Sequence, residues 1–373
     1  MKNVMGIIYT GERDEQLREL TAARAVAAVP ICSRYRLIDF PLSAMVGSGM
    51  RNVGVIAQRN YNSLMDHMGS GREWDLHGKR SGLVILPPFL TKDSVGVYAG
   101  FLDALKSNLH YLRRSKERYV VITDTHMLFS ARFDDMAAAH EASGADITLM
   151  YTKDPSVFRN GAGRYLNVDA AGRVDALEVD PALPRLPYTY METFCIRREL
   201  LIALVDQAVA RGQYHFTRDL LMNGIYDGSL NVRGFEHTGK VWRVDSVQAY
   251  FDCSMDLLKS DVRANLFSKD RPVLTKLRDE MPTQYVSGAQ VKNSLIADGC
   301  VIEGTVENCI LFRGVHVEKG AVIKDCIVMQ DGYIQTGAEL QNVILDKQAT
   351  VRGNTRMIAP RNYPVVITKN TII

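Results

Sequence analysis

The sequence predicts an α/β protein in two parts. A Rossmann-like domain with a mostly parallel sheet and crossover helices is followed by a left-handed parallel β-helix. Up to about residue 250, short β-branched runs alternate with helical stretches, a pattern typical of parallel sheets. Near the C-terminus, short apolar groups recur every five to six residues, which is typical of a β-helix.

Four apolar runs are the predicted strands of the first domain, and each is predicted to be buried on both faces. Helical patterns lie between them, and the pattern FDDMAAAHEASG ends at Gly144. Ligands of parallel sheets bind beyond the carboxyl ends of the strands, so any site is expected there. The four runs are VMGIIY near the start, NVGVIAQ at 52–58, YVVITD at 119–124 and DITLMYT at 146–152.

We place the domain boundaries at 1–254 for the first domain, 255–284 for a helical connector and 285–373 for the β-helix. The connector contains two prolines. The β-helix is predicted from twelve short apolar groups, such as CVI, VHV and AVI, several of them preceded by glycine. Glycine suits the corners where the backbone turns. An antiparallel sheet with tight hairpins is the alternative, but the near-constant spacing argues against it.

Composition excludes several classes of function. The chain has 373 residues and a formal net charge of +3, which is too small to indicate nucleic acid as a partner. Its six cysteines form no CxxC pair and its eight histidines no HExxH motif. The N-terminal segment turns acidic where a signal peptide would continue apolar, and no long apolar run follows. We therefore expect a cytoplasmic protein without a membrane partner.

Several long segments resemble the glucose-1-phosphate adenylyltransferases, also called ADP-glucose pyrophosphorylases. The resemblance spans almost the whole chain and implies a nucleotidyltransferase domain ahead of the β-helix. The segments are RYRLIDFPLS at 34–43, SGMRNVGVIAQ at 48–58, WDL at 74–76, ILPP at 85–88, SMDLL at 254–258 and the β-helix sequence from VKNSLIADGC onward.

Enzymes of this family join ATP and glucose 1-phosphate and release pyrophosphate, which requires positioning and charge neutralisation. At the family's catalytic positions this chain has lost the required residues. The glycine-rich turn carries carboxylates, and a like-charge pair at about 4 Å costs roughly 4 kcal/mol at an effective dielectric near 20. The residues that the resemblance implies at the family's cationic and metal-binding positions are also replaced by other types. The degenerate positions are Glu12 and Asp14 in the turn, Gln16 for arginine, Val26 and Asp180 for lysines, and Thr125 and Val244 for metal-binding aspartates.

A displaced metal site is the alternative, since Asp124 and Asp245 each lie one residue from an expected ligand. A slip of one residue on an extended backbone points a side chain to the opposite face, which argues against it. We therefore expect no catalytic residues and no cofactor of this chain's own, with Mg²⁺ belonging to a catalytic partner.

The resemblance extends to the D-type, non-catalytic subunit of this family. It implies a modulatory role in a hetero-oligomer, expected to be a heterotetramer, with the catalytic subunit. A self-sufficient adenylyltransferase and a free-standing sugar-phosphate or nucleotide sensor are the alternatives.

Two groups of binding residues follow from the resemblance. Arg24 and Arg36 align with arginines that bind sugar-phosphate activators in relatives, and the activator lysine aligns with Ala23. Arg352, Arg356 and Arg361 lie where further phosphate contacts are expected. Arg36 has a structural alternative, an ion pair with Asp39. Gln58 and Asp219 match residues of the nucleotide and sugar pockets, although a structural role is the alternative for Gln58.

Overall fold

The computed structural model describes residues 3–11, 15–78, 81–88, 98–158 and 163–373. The chain divides into two compact units. The sheet unit comprises Met1–Glu12, Phe40–Trp242 and Lys269–Leu274. The β-helix unit comprises Arg13–Asp39, Arg243–Ser268 and Thr275–Ile373.

Thirteen strands precede the β-helix in the described part of the chain. They are β1 Val4–Tyr9, β2 Pro30–Ile31, β3 Tyr35–Arg36, β4 Val53–Ile56, β5 Leu83–Leu86, β6 Tyr119–Thr123, β7 Met127–Leu128, β8 Ile147–Thr152, β9 Arg164–Val168, β10 Val174–Val179, β11 Tyr188–Arg197, β12 Val232–His237 and β13 Trp242–Arg243.

The α-helices are short, and none that the structure describes is long and apolar enough to cross a membrane. A π-helix at Phe216–Leu221 and 3-10 turns at Glu15–Leu20, Val26–Ala28, Arg72–Trp74 and Pro155–Val157 supplement them. The α-helices are α1 Asp39–Gly47, α2 Asn62–Met68, α3 Phe101–Ser107, α4 Leu109–Arg114, α5 Phe133–Ser143, α6 Arg198–Ala210, α7 Met222–Tyr226, α8 Val247–Asp256 and α9 Ser260–Leu266.

The sheet is mixed rather than uniformly parallel. Strands β5, β4, β1 and β6 pair in parallel, and the four strands predicted from the apolar runs are confirmed as β1, β4, β6 and β8. Strand β11 pairs antiparallel with β6, β8 and β9. Strands β9 and β10 form an antiparallel hairpin, since the short DAAGR connection between them is too short for a crossover.

The core of the sheet unit includes buried residues of helices α3, α4 and α6. All six residues of β1 are buried, as expected for a central parallel strand. Phe101 contacts Tyr9, Phe194 and Phe216 with ring centroids 4.8, 6.4 and 6.1 Å apart. Helix α5 ends at Gly144, whose φ of 62° is left-handed, which confirms the predicted end of this helix.

The left-handed β-helix is confirmed as three parallel five-stranded sheets, one for each side of the coil. Its strands are β14 Gln284–Tyr285, β15 Gln290–Lys292, β16 Leu295–Ile296, β17 Val301–Ile302, β18 Thr305–Glu307, β19 Ile310–Leu311, β20 His316–Val317, β21 Val322–Lys324, β22 Ile327–Val328, β23 Tyr333–Ile334, β24 Glu339–Gln341, β25 Val343–Leu345, β26 Thr350–Val351, β27 Arg356–Ile358 and β28 Val365–Ile367.

Stacked apolar side chains fill the interior of the coil. Val306, Ile323 and Leu340 are direct neighbours in successive coils and at most 1% exposed. Four glycines at predicted corners have a φ of 70–78°: Gly299, Gly314, Gly320 and Gly337. A second corner uses Asn308, Asp325 and Asn342 at 49–54°, because short polar side chains tolerate the left-handed region. Stacking therefore fixes which residues point inward, while the corners limit the residue types that can turn the chain.

Candidate functional site

A buried cluster of charged residues lies where β6 ends, at the edge of the sheet where a site is expected. Asp124 and His126 follow β6, and Glu192 comes from β11; all three are buried. His126 Nδ1 contacts Asp124 Oδ1, which also accepts a hydrogen bond from the His126 backbone N–H at 2.7 Å. His126 Nε2 lies 3.5 Å from Glu192 Oε1. The imidazole thus lies between two carboxylates.

The electrostatics of the cluster favour a positive charge on His126. Burial disfavours the charged imidazole, but the carboxylates of Asp124 and Glu192 outweigh it and raise the pKa of His126 to about 9. The second oxygen of Glu192 contacts Arg164 Nη1. Two carboxylates and two cationic side chains therefore alternate in one buried row, which limits the cost of burying each charge.

The backbone of Glu192 is in an unusual conformation. Its φ is 52°, and the register of β11 against β8 shifts between Tyr190 and Phe194, so a bulge turns this residue out of the regular ladder. Sequence reasoning missed His126, Glu192 and Arg164. The position of His126 two residues after Asp124 was a usable signal, but no sequence signal marks the bulge.

The two aspartates of the alternative metal site both have cationic neighbours. Asp124 is held by His126, and Asp245 Oδ2 lies 2.7 Å from Arg243 Nε. Mg²⁺ prefers several oxygen ligands together with water in octahedral geometry. Carboxylates that already neutralise an imidazolium and a guanidinium do not fit that requirement. Thr125, which follows Asp124 in the chain, is 2% exposed and neutral.

The other positions predicted to be degenerate have structural roles or lie at the surface. Val26 and Val244 are 2% and 0% exposed and pack as apolar side chains. Gln16 is exposed in the turn Glu15–Leu20. Asp180, with a φ of 48°, accepts a hydrogen bond from the backbone N–H of Gly163 at 2.8 Å. Glu12 and Asp14 lie outside the described residues, so the acidic turn stays a prediction.

The two predicted pocket residues both make intramolecular hydrogen bonds. Gln58 Nε2 donates to the carbonyl of Tyr98 at 3.3 Å. A Cβ added to Gly11 would lie only 2.4 Å from Gln58 Oε1, so the two residues are in close contact. Asp219 Oδ2 accepts the backbone N–H groups of Tyr214 and His215 at 3.0 and 2.9 Å. These contacts give Gln58 and Asp219 a structural role in the described chain.

The β-helix unit contains a concentration of positive charge around Lys347, which sequence reasoning missed. Burial, followed by the charges of Arg36 and Arg24, lowers the pKa of Lys347 to about 7. Arg24 Nη2 donates to both carboxylate oxygens of Asp346 at 2.8 and 2.9 Å. This buried pair fixes Arg24 beside Lys347.

Of the remaining predicted arginines, Arg36 is buried, whereas the three C-terminal arginines are exposed. The Arg36 backbone N–H donates to Asp39 Oδ2 at 2.9 Å, which supports a structural link between these two residues. Arg352, Arg356 and Arg361 are exposed, and Arg356 pairs with Glu339 at 3.0 Å. The structure thus groups Arg24 and Arg36 around Lys347 and gives no such grouping for the three C-terminal arginines.

Comparisons with known proteins match both parts of the chain. Residues 5–259 match the nucleotidyl transferase family and residues 281–358 match a GlmU-like, C-terminal hexapeptide family. A glycogen biosynthesis protein GlgD from Bacillus subtilis is 35% identical, over 99% of this chain and 96% of the relative. A glucose-1-phosphate adenylyltransferase from Clostridium botulinum is 31% identical, over 86% of this chain and 83% of the relative.

Proposed function

Since the chain belongs to the nucleotidyl transferase family, and within it to the glucose-1-phosphate adenylyltransferases and GlgD proteins, we propose that it is a modulatory subunit in glycogen biosynthesis. It forms a hetero-oligomer with a catalytic glucose-1-phosphate adenylyltransferase and is itself inactive or nearly so. The metal-dependent transfer of the adenylyl group from ATP to glucose 1-phosphate takes place on the partner.

The single observation that carries this proposal concerns the edge of the sheet where a site is expected. Charged residues of the chain itself fill that edge. His126 lies between Asp124 and Glu192 where β6 ends. Val26 and Val244, at positions where the family resemblance implies a lysine and an aspartate, are buried apolar residues. Loss of one cationic group in phosphoryl transfer costs on the order of 10³–10⁵ in rate. Several losses together leave little turnover.

A subunit without chemistry of its own still changes its partner's activity through the interface. If the interface binds the active conformation of the partner more tightly, that conformation gains population. The coupling is reciprocal, so a ligand of the partner also strengthens the assembly. The buried core of the sheet unit and the stacked interior of the β-helix support this role, since a folded chain presents a surface to a partner.

The test compares three samples: this chain alone, a purified catalytic adenylyltransferase alone, and their mixture. Pyrophosphate release is measured with ATP, Mg²⁺ and glucose 1-phosphate, and the assembly is followed by size-exclusion chromatography with light scattering. We expect no turnover by this chain and a changed rate or activator response in the mixture, with co-elution. Serum albumin at equal concentration is the control for the mixture.

The other outcomes separate the alternatives. Turnover by this chain alone at a rate like that of the catalytic subunit would establish a self-sufficient enzyme. Absence of co-elution together with binding of a sugar phosphate or nucleotide would indicate a free-standing sensor. Either result would contradict the modulatory subunit.

The cationic group of the β-helix unit favours a second function, binding of a sugar-phosphate effector. Burial and the charges of Arg36 and Arg24 lower the pKa of Lys347 to about 7 in spite of the nearby Asp346, and a phosphate would add a further counter-charge to this group. We expect a hexose bisphosphate to bind the purified chain in calorimetry and Lys347→Gln to weaken it about tenfold or more. Lys324→Gln, at an exposed pair with Glu307, is the control and should leave binding unchanged.

A further inference from the structure

We propose that Arg313, together with its neighbours Arg34 and Arg278, forms a binding site for a phosphate-class anion. The anion is either free phosphate or the phosphate group of a small ester. All three arginines belong to the β-helix unit. The site is distinct from the cationic group around Lys347, and it does not depend on the proposed regulation of a catalytic partner.

The guanidinium of Arg313 is buried without a hydrogen-bond partner. The residue is 8% exposed, and its Nε and Nη2 atoms are buried and make no hydrogen bond with any residue that the structure describes. Arginine keeps its proton in proteins, so neutralisation does not relieve the burial. A buried charge is costly unless it is paired, and a bound ion is one of the few explanations for such a group in a folded protein.

Arg313 lies at a corner of the β-helix. Asp298 and Arg313 occupy equivalent positions in neighbouring coils, three residues before the paired strands β17 and β20. Lys347 has the same position two coils further on, three residues before β26. Neighbouring strands are about 4.8 Å apart, which separates the backbones of Arg313 and Lys347 by about 10 Å. The two cations therefore stand at different levels of one corner.

Two further arginines add positive charge around Arg313. Burial, followed by the charges of Arg34 and Arg278, lowers the pKa of Arg313. Arg34 Nη2 lies 3.6 Å from Oδ2 of Asp298, which is one coil away from Arg313. Arg278 comes from the segment before β14 and is exposed. Three guanidinium groups therefore concentrate positive charge at this corner, and an anion would be their common counter-charge.

The carboxylates near the corner leave the buried guanidinium unpaired. Asp298 and Glu280 oppose the lowering of the pKa of Arg313, but their effect is smaller than that of the two arginines. Asp331, whose backbone N–H donates to the Arg313 carbonyl at 3.0 Å, adds a third carboxylate. All three acids are exposed, and Asp298 is already paired with Arg34. None of them bonds to Nε or Nη2 of Arg313, and water screens exposed charges.

The unpaired donors select the class of anion. The Nε–H and Nη2–H groups lie on one edge of the guanidinium, and this edge binds two oxygens of a single phosphate or carboxylate. A phosphate carries up to two negative charges and has further oxygens for Arg34 and Arg278, whereas a carboxylate carries one charge. Because Nε and Nη2 are buried, a rotation of the Arg313 side chain or of its exposed neighbours accompanies binding.

The test measures binding of inorganic phosphate to the full-length chain, by ³¹P NMR line broadening and by thermal unfolding at constant ionic strength. We expect phosphate to raise the midpoint of unfolding and Arg313→Met to raise the dissociation constant about tenfold or more. In phosphate-free buffer Arg313→Met should unfold at a higher temperature than the unmodified chain, because it removes an unpaired buried charge. Arg34→Gln, at a more exposed position, should weaken binding about two- to fivefold.

Arg197→Met is the matched control, because Arg197 pairs with Asp146 at 3.1 Å and its side chain is 49% exposed. Phosphate also stabilises proteins by exclusion from their surface, and this variant measures that general effect. Absence of phosphate binding by the unmodified chain would overturn the proposal, as would undiminished binding by folded Arg313→Met. An equal thermal shift with acetate would overturn the assignment to phosphate. Circular dichroism verifies the fold of each variant.

Lys347→Gln separates this site from the cationic group around Lys347. We expect this variant to keep a phosphate site that is lost when Arg313→Met is added, whether or not it still binds a hexose bisphosphate. Loss of all phosphate binding in folded Lys347→Gln would overturn a separate site. A comparison of inorganic phosphate with glucose 1-phosphate distinguishes the free ion from the ester, since the form with the lower dissociation constant is the preferred ligand, and either preference supports the proposal.

Discussion

The edge of the sheet unit and the interior of the β-helix bury side chains in opposite ways. The β-helix stacks equivalent apolar residues, such as Val306, Ile323 and Leu340, in register from coil to coil. The sheet edge buries the charges of Asp124, His126 and Glu192 on an irregular backbone. A repeated apolar interior is stable without specific polar partners, whereas buried charges depend on each partner being present. We therefore expect substitutions in the two regions to change the free energy of unfolding for different physical reasons.

The largest effect is expected from Glu192→Gln at the sheet edge. It leaves His126 and Arg164 without their shared counter-charge, and breaking a buried pair costs about 3–5 kcal/mol. The free energy of unfolding is measured by urea titration. Glu236→Gln is the control, since Glu236 pairs with half-exposed Lys153 at 2.7 Å and should cost at most about 1 kcal/mol. Equal effects of the two variants would remove the contrast between buried and exposed charges.

The interior of the β-helix is tested by Ile323→Ala. Ile323 is fully buried between Val306 and Leu340, and truncation to alanine in a core costs about 2–5 kcal/mol. Lys324→Ala, on the exposed neighbour, should change the free energy of unfolding by less than about 0.5 kcal/mol. Urea unfolding followed by circular dichroism measures both variants. A loss for Ile323→Ala below that of Lys324→Ala would contradict the stacked interior.

Acid should weaken the sheet unit through His237. Burial, together with the charge of Arg271, lowers the pKa of His237 to about 4, below the usual value of about 6.5. The neutral form thus contributes stability above about pH 6.5, and this is lost as the pH falls toward 4, by at most about 1.4 kcal/mol per pH unit. His237→Gln should flatten this dependence in thermal unfolding, while His316→Gln should not. An unchanged slope for His237→Gln would contradict the assignment.

The smallest effect is expected at a corner of the β-helix. Asp325 has a φ of 49°, which glycine adopts freely, so Asp325→Gly should change the free energy of unfolding by less than about 1 kcal/mol. Asp325→Val should destabilise by roughly 1–2 kcal/mol, because a β-branched side chain clashes in the left-handed region. Thermal unfolding of the pair of variants measures the difference. A more stable valine variant would show that this corner imposes no conformational limit.

Much of the fold was predictable because it depends on local periodicity. The apolar runs of β1, β4, β6 and β8 and the end of α5 at Gly144 follow from residue types alone. The antiparallel direction of β11 was not predicted, because strand direction depends on how the chain returns to the sheet. At the candidate site only Asp124 was identified in advance, and only as an alternative. His126 is close in sequence, but Glu192 and Arg164 come from the distant strands β11 and β9.

The sequence by itself determined the two-part architecture, since this depends on residue types and their spacing along the chain. Only the tertiary structure decided which charges meet. Glu192 reaches His126 through a bulge with a φ of 52°, and Arg24 reaches Asp346 across 322 residues. Such pairings depend on long-range strand order and local backbone distortion, which no periodicity in the sequence encodes.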